Sequence, residues 1–469
     1  MEADNREVSY LESRKLVKRW GGPWPAIVNT LMIFAIFYAS WWVFQDPRGI
    51  MRMYTPYVGY MVCRWLLIML IWVAYIFDFW PFKRSWLNKT HPVVKGLILT
   101  AISVGIMEIL IEGFFKGFLG NLGIAYFSPD RLISMGVTDF YAEEYASEAI
   151  MMFAAIASWL SPSWVVACEN APWQKLNQPS RGITVMVVTF FLSMIVYFVT
   201  MHSHMAILFY PWQKYAAITP TWSTDFANTV SGNFHIAWIM SGTVVVWVYE
   251  SIWERYPFNL IKTDWLRRTA SFFGIIAVAL CVCFFIYYAE DLMWGLTVRG
   301  TRREAAPDWR WLHVGETAIF WLVGVLYLAF FCGNWPTKFS RPVNVFLRTV
   351  VSLGIGIVVY VLYYRYAHLF LGTQKGFSHP QQFPMIPTIW LINLFLINMW
   401  FMDGWPGWKA VPKTAEELDR VHEEVVAHDV SWTPNLAKGL AVGATAGVAF
   451  YFGVVTILPW IAQNVQIIK

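Results

Sequence analysis

The sequence predicts an all-α integral membrane protein with about eleven transmembrane helices: a single N-terminal span followed by five repeated helical hairpins. Composition points there first. Of 469 residues, 57% are hydrophobic and only 14% charged, with a mean hydropathy of +0.47. A soluble domain of this length carries far more charge. Second, apolar stretches long enough to cross about 30 Å of hydrocarbon recur along the chain. Third, five of them end alike, in an acidic or small residue followed by a proline and a basic loop. These joints are Asp78-Phe-Trp-Pro81, Glu169-Asn-Ala-Pro172, Glu254-Arg-Tyr-Pro257, Gly333-Asn-Trp-Pro336 and Asp403-Gly-Trp-Pro406.

The N-terminal tail, residues 1–25, is polar and basic. No apolar stretch within residues 1–20 precedes a small-residue cleavage site, so no cleavable signal peptide is expected. One polytopic domain, 26–469, follows. Its spans are expected near 26–44, 56–79, 93–115, 145–168, 183–208, 229–252, 270–289, 312–332, 345–369, 386–403 and 437–461. Proline cannot continue a helix and pushes the preceding residue out of the α region, so each joint ends a span. The joint acid opposes the helix dipole and is expected to be relieved by the basic residues that follow. In the last joint, Thr414-Ala-Glu-Glu417 reads as a capping box opening a short surface helix near 414–427. Gly439, Gly443 and Gly447 in the last span predict close helix packing, within the chain or in a homo-oligomer.

Most Lys and Arg lie in the N-terminal tail and the joints. The positive-inside rule therefore expects a cytoplasmic N-terminus, cytoplasmic joints and an extracytoplasmic C-terminus. The expected location is the cytoplasmic membrane of a bacterium or archaeon. The 28 Trp and 22 Tyr suit many membrane–water crossings. Cys63, Cys168, Cys281, Cys283 and Cys332 all sit in apolar stretches and read as small buried side chains rather than a disulfide framework. No basic stretch is interleaved with aromatics outside the spans, so no nucleic-acid partner is expected.

Ionisable residues inside membrane spans are costly and mark function by default. They gather toward the ends of the spans opposite the joints: Arg64, Glu108, Glu112, Glu144, Glu148, His202, His204, His235, His313 and Glu316. At 1.5 Å per residue, Glu108 lies roughly 7 Å inside the outer boundary and His235 about 10 Å inside it. Glu143, Glu290, Asp291 and His368 read as wet interface residues. Glu108/Glu112, Glu144/Glu148 and His313/Glu316 are spaced to share helix faces. Carboxylates and imidazoles on facing helices are the ingredients of metal sites in bundles.

Three functions follow as expectations. The first is a membrane-embedded metal-binding oxidoreductase acting on a small or lipid-soluble substrate at the outer leaflet. Its ligands would be drawn from Glu108, Glu112, Glu144, Glu148, His202, His235, His313 and Glu316, holding iron, copper, zinc or manganese. Arg64 and Glu108 are its catalytic candidates. The second is a transporter or channel for a small solute, in which Gly354, Gly356, Asn393 and Asn398 line a neutral path. The third is a membrane anchor or quinone-reactive subunit of a redox complex. A b-type haem between two of His202, His204, His235 and His368 would serve it, with an extracytoplasmic or membrane partner subunit seated on the outer loops. A ring of polar residues that merely closes the outer mouth of the bundle, paired with Arg64 and Arg365, is the structural alternative to all three.

Overall fold

A computed structural model describes residues 9–11, 13–55, 57–122, 124–202, 230–293, 307–372 and 384–414. Eight helices among them are long and apolar enough to cross a membrane: Trp24–Gln45, Val58–Ile76, Pro92–Leu122, Asp139–Val166, Ser180–Thr200, Asp264–Glu290, Arg310–Phe331 and Arg341–Phe370. The chain is membrane-embedded and predominantly helical. Met385–Phe401 is a shorter apolar helix. The span expected at 437–461, its Gly439, Gly443 and Gly447, the surface helix near 414–427 and His204 lie outside the described residues.

The elements are β1 Arg14–Lys18, α1 Trp24–Ser40, α2 Val58–Ile71, α3 Pro92–Glu108, α4 Asp139–Val166 and α5 Ser180–Thr200, then α6 Gly232–Trp247, α7 Asp264–Met293, α8 Pro307–Phe331, α9 Arg341–Phe370, α10 Met385–Leu396 and β2 Trp408–Pro412. Helices α1, α2, α6 and α10 run on into a wider, π-helical turn. The segment Ile109–Leu119 extends α3 in the same way. Two expected boundaries move as a result. Helix α3 continues past residue 115 to Leu122, and α4 begins at Asp139, so much of what reads as an outer loop is helix.

The five joints share one backbone. Two successive residues take positive φ at each of them: Asp78 and Phe79, Glu169 and Asn170, Glu254 and Arg255, Gly333 and Asn334, Asp403 and Gly404. A cis proline follows two residues later in each case. The N–H groups of Phe79, Asn170, Arg255, Asn334 and Gly404 return to the carbonyls of Val73, Trp164, Tyr249, Leu328 and Asn398. Left-handed residues end a helix by satisfying its last carbonyls, which is what these bonds do.

Burial divides the four hairpins whose two helices are both described. The first helices, α2, α4, α6, α8 and α10, are largely buried, while the second helices α3, α5, α7 and α9 are largely exposed. The exposed faces are apolar, with Leu97, Ile106 and Ile109 on the α3 segment, Phe191 and Ile195 on α5, Phe273 on α7, and Phe346, Val350 and Ile357 on α9. Such faces suit lipid, and the helical backbone satisfies its own polar groups there.

Contacts divide the chain into two compact units. In the first, Met1–His235 with Phe330–Cys332 and Tyr366–Lys413, α2 packs between α4 and α10. Stacked Trp65 and Phe153, with Phe115 and Phe190 against Phe153, join α2, α3, α4 and α5. Each joint of this unit that carries Asp seats a helix of the hairpin next to it. Helix α3 lies on the joint of α10, where Gly96 faces Met402, Lys95 Nζ donates to Asp403 Oδ2 at 2.5 Å, and the His91 and Trp405 rings meet. The start of α5 lies on the joint of α2, with Gln178 Nε2 donating to the Ile76 carbonyl at 2.8 Å.

The N-terminal tail departs from the all-α expectation. Strand β1 pairs antiparallel with β2, Arg14 opposite Pro412 and Lys18 opposite Trp408. Arg14 also pairs with Asp403, and the Tyr10 N–H donates to Asp78 Oδ1 at 2.6 Å. The tail thus ties the first and last joints together. Lys83 relieves Asp78 as the sequence predicts, whereas among the described residues the cations on Asp403 come from β1 and α3. Burial pushes the Tyr10 hydroxyl up to about 12, against the opposing pull of Arg14.

Between α1 and α2, Asp46 holds the end of α9. Its carboxylate accepts from Arg48 and from the Gly372 N–H. Burial pushes this group up, but the Arg48 and backbone donors outweigh it and hold it below the usual carboxylate value. A depressed acid contributes stability above its unfolded value and loses it as pH falls, so this tie releases in acid.

The second unit, Ile236–Ala329 with Gly333–Arg365 and Thr414–Lys469, repeats the seating pattern. Helix α9 lies on the joint that ends α6. Arg348 Nη1 donates to Glu254 Oε1 at 2.6 Å, and Trp253 Nε1 to Thr349 Oγ1 at 2.9 Å. Helices α8 and α9 cross closely through small residues. A Cβ on Gly324 would stand 2.0 Å from the Ser352 carbonyl oxygen, and one on Gly356 would stand 2.9 Å from the Phe320 carbonyl oxygen. Gly356 is therefore a packing residue at this crossing, and Gly354 has nothing within 4 Å of its would-be Cβ. Because backbone atoms limit the crossing, Gly324→Ala is expected to cost about 1–3 kcal/mol by overpacking. Thermal unfolding of the purified protein in detergent measures it, and an unchanged midpoint would refute the close crossing.

Candidate functional site

The sequence-predicted residues fall into separate places. Glu108 and Glu112 are exposed on the α3 segment, and Lys116 bridges Glu112 at 2.9 Å and Glu143 at 2.6 Å. Glu112, Lys116 and Glu143 thus form one ion-pair group, and Glu108 is exposed on the same segment. His202 Nδ1 meets the Tyr126 hydroxyl at 2.8 Å. His235 is buried on α6. Arg365 and His368 are exposed on α9. Among the described residues, no group of three or more His, Cys, Asp or Glu is placed to hold a metal ion. The eight expected ligands are not gathered into one site.

Two polar clusters remain, one in each unit. The first surrounds α2. Arg64 is fully buried there, on a helix otherwise composed of apolar and aromatic side chains and Gly59. Its guanidinium donates to the Tyr60 hydroxyl at 3.2 Å, to Ser158 Oγ of α4 at 3.4 Å and to Met385 Sδ of α10 at 2.8 Å. Tyr60 sits one turn before Arg64, where the backward tilt of helical side chains puts the guanidinium. Toward the start of α2, Glu148 is hydrogen-bonded by the side chain of Tyr57. Glu144, one turn before Glu148 on α4, accepts from the Tyr57 N–H at 3.4 Å and from the side chain of Thr55. Both carboxylates are buried. Their i,i+4 spacing does place them on one face, as the sequence predicts.

Around these charges lie polar atoms with nothing to bind among the described residues. Neither the oxygen nor the nitrogen of the Gln45 amide has a hydrogen-bond partner, although the residue is fully buried. The same holds for Ser147 Oγ, Asn393 Oδ1 and Trp41 Nε1. Gln45 reaches α2 because Gly59 has no side chain: a Cβ there would stand 2.7 Å from Gln45 Oε1. Buried polar groups are nearly always satisfied, by protein or by ordered water. A cluster of unsatisfied ones beside buried charges has capacity for a polar guest.

The second cluster joins α7, α8 and α9. His313 Nδ1 and Glu316 Oε2 stand 2.7 Å apart one turn apart on α8. Thr317 Oγ1 donates to Glu290 Oε1 of α7. Glu290 is not the wet interface residue its sequence position implies, since it is 2% exposed. Phe320, Tyr360 and Tyr364 pack as one core cluster between α8 and α9.

Sequence reasoning missed Gln45, Tyr57, Ser158, Met385 and Thr317. Pro162 inside α4 was a usable signal for Ser158, because a proline has no N–H for the carbonyl four residues before it. The others carry no charge of their own. Asn393 Nδ2 donates to the Cys63 carbonyl while its Oδ1 stays open among the described residues, and Asn398 Nδ2 donates to the Trp405 carbonyl. Comparisons with protein-family models, curated proteins and solved structures find no match to the chain.

Proposed function

We propose that the protein is a membrane-embedded transport protein for a small polar or charged solute, with the polar core around α2 as its binding region. One observation carries this reading: Arg64 of α2 and Glu148 of α4 are buried charges inside an apolar bundle, and the unsatisfied Gln45 amide lies against Gly59 of α2. Intramembrane charges that face the interior of a bundle mark solute and ion paths. The unsatisfied donors and acceptors supply the groups that a guest passing from water to membrane depth must exchange for its hydration shell.

In this reading the N-terminus and the five joints face the cytoplasm, and the chain crosses the membrane eleven times. The seating of α3, α5 and α9 on neighbouring joints supports a scaffold role for the joints. Labelling of single cysteines introduced at Lys83 and Lys338 in intact cells tests the orientation. Reaction with an impermeant reagent added outside would reverse it.

The test of function is solute entry into proteoliposomes, followed by stopped-flow light scattering with urea, glycerol and ammonium chloride as probes. Glu148→Gln is expected to slow the transported probe at least 10-fold, while Glu108→Gln on the exposed face of α3 leaves it unchanged. Equal loss in both, or no probe-specific flux at all, would sink the reading. The metal-dependent oxidoreductase reading has no three-residue group behind it among the described residues. Stoichiometric iron, copper, zinc or manganese in the purified protein would favour it.

A further inference from the structure

We propose that Glu290 in the second unit is a proton-binding site, distinct from the polar core around α2 and filled and emptied by protons from water. The argument is one of charge and of vacant hydrogen-bonding capacity. Glu290 Oε1 accepts from Thr317 Oγ1, whereas Oε2 is buried and has no hydrogen-bond partner among the described residues. A bare carboxylate oxygen in an apolar interior is among the costliest arrangements a protein can hold, and such a group neutralises instead.

The neighbours decide where the proton goes. Glu316 and Arg310 of α8 and His313 lie within electrostatic range of Glu290. Cys283 of α7 is in range as well. Tyr364 of α9 feels both carboxylates, with Tyr360 and Tyr363 beside it. With the imidazole neutral, two carboxylates face one guanidinium among the described residues, which leaves one uncompensated negative charge in the cluster they form. A single proton removes it. Glu316 has His313 Nδ1 at 2.7 Å to share that charge. Among the described residues Glu290 has only the neutral Thr317 hydroxyl, and that bond leaves Oε2 open. The O–H bond therefore forms at Glu290 Oε2, with the proton taken from water and returned to it.

The test is pH-difference infrared spectroscopy on the full chain in nanodiscs, read at the carbonyl stretch of a protonated carboxylic acid. The expected result is a titrating band that Glu290→Gln abolishes and Thr317→Val shifts in both frequency and midpoint. Glu316→Gln, by removing the competing carboxylate, is expected to move the midpoint to lower pH. A titrating band unchanged in Glu290→Gln overturns the proposal, and so does a spectrum without one. If Glu290→Gln does not fold, Thr317→Val decides, since it leaves the carboxyl in place and removes only its donor. None of these readouts depends on solute flux, so the site and the transport reading fail separately.

Discussion

Arg64→Met is expected to abolish transport while leaving the fold as stable as before, or more so. A guanidinium taken fully out of water loses several kcal/mol of hydration, and its partners Tyr60, Ser158 and Met385 return only part of that. Replacing buried ionic groups by apolar residues of similar volume is often neutral or stabilising by about 1–4 kcal/mol. Methionine also keeps most of the stem volume. If Arg64 were a structural strut, its replacement would loosen α2, α4 and α10 together. If it is a solute-binding group, flux falls at least 10-fold and the melting temperature holds. Arg64→Lys separates geometry from charge, because a single ammonium cannot reproduce the planar fork that spans three acceptors. Flux and thermal unfolding measured on the same preparations decide between the two. A variant that melts early but still transports would refute the binding role.

Asp403→Ala is expected to cost about 3–5 kcal/mol, the largest stability effect of a single side chain at the joints. Its carboxylate receives Arg14 from β1 and Lys95 from α3. The Lys95 ammonium is 4% exposed, so removing the acid strands a charge with little access to water. Breaking one partner of a buried pair carries that penalty because the other stays behind. The β1–β2 pairing hangs on the same residue, so the tail should become accessible to protease in the variant. Lys95→Met combined with Asp403→Ala should recover much of the loss, since the stranded charge is then gone. Unfolding of the single and double variants in detergent measures both effects, and an additive double mutant would contradict the pairing.

The five joints were legible because each carries its own chemistry: a residue near the left-handed turn, a proline, and basic residues beyond. Helix type and membrane embedding were legible for the same reason, as local composition over about 20 residues is enough to set them. The i,i+4 pair Glu144/Glu148 and the i,i+3 pair His313/Glu316 were readable as shared faces, since helical periodicity is a property of the chain itself. Glu108/Glu112 has the same spacing and yet faces outward, beside Lys116. Spacing determines that two residues share a face, but not which way the face points.

What the sequence by itself determined was therefore local and periodic: spans, breaks and which residues share a helix face. What only the tertiary structure decided was partnership. It put the first helix of each hairpin inside and the second helices α3, α5, α7 and α9 outside, laid the N-terminal tail on the last joint as a strand, and set Gln45 against α2 through Gly59. It also turned Glu290 from an apparent interface residue into a buried acid. The physical reason is that burial is a property of contacts between distant segments, and the energy of a charge depends on what those segments bring to it. A carboxylate beside Lys116 at the surface and a carboxylate beside Thr317 in the interior are the same residue in sequence and different chemistry in the fold.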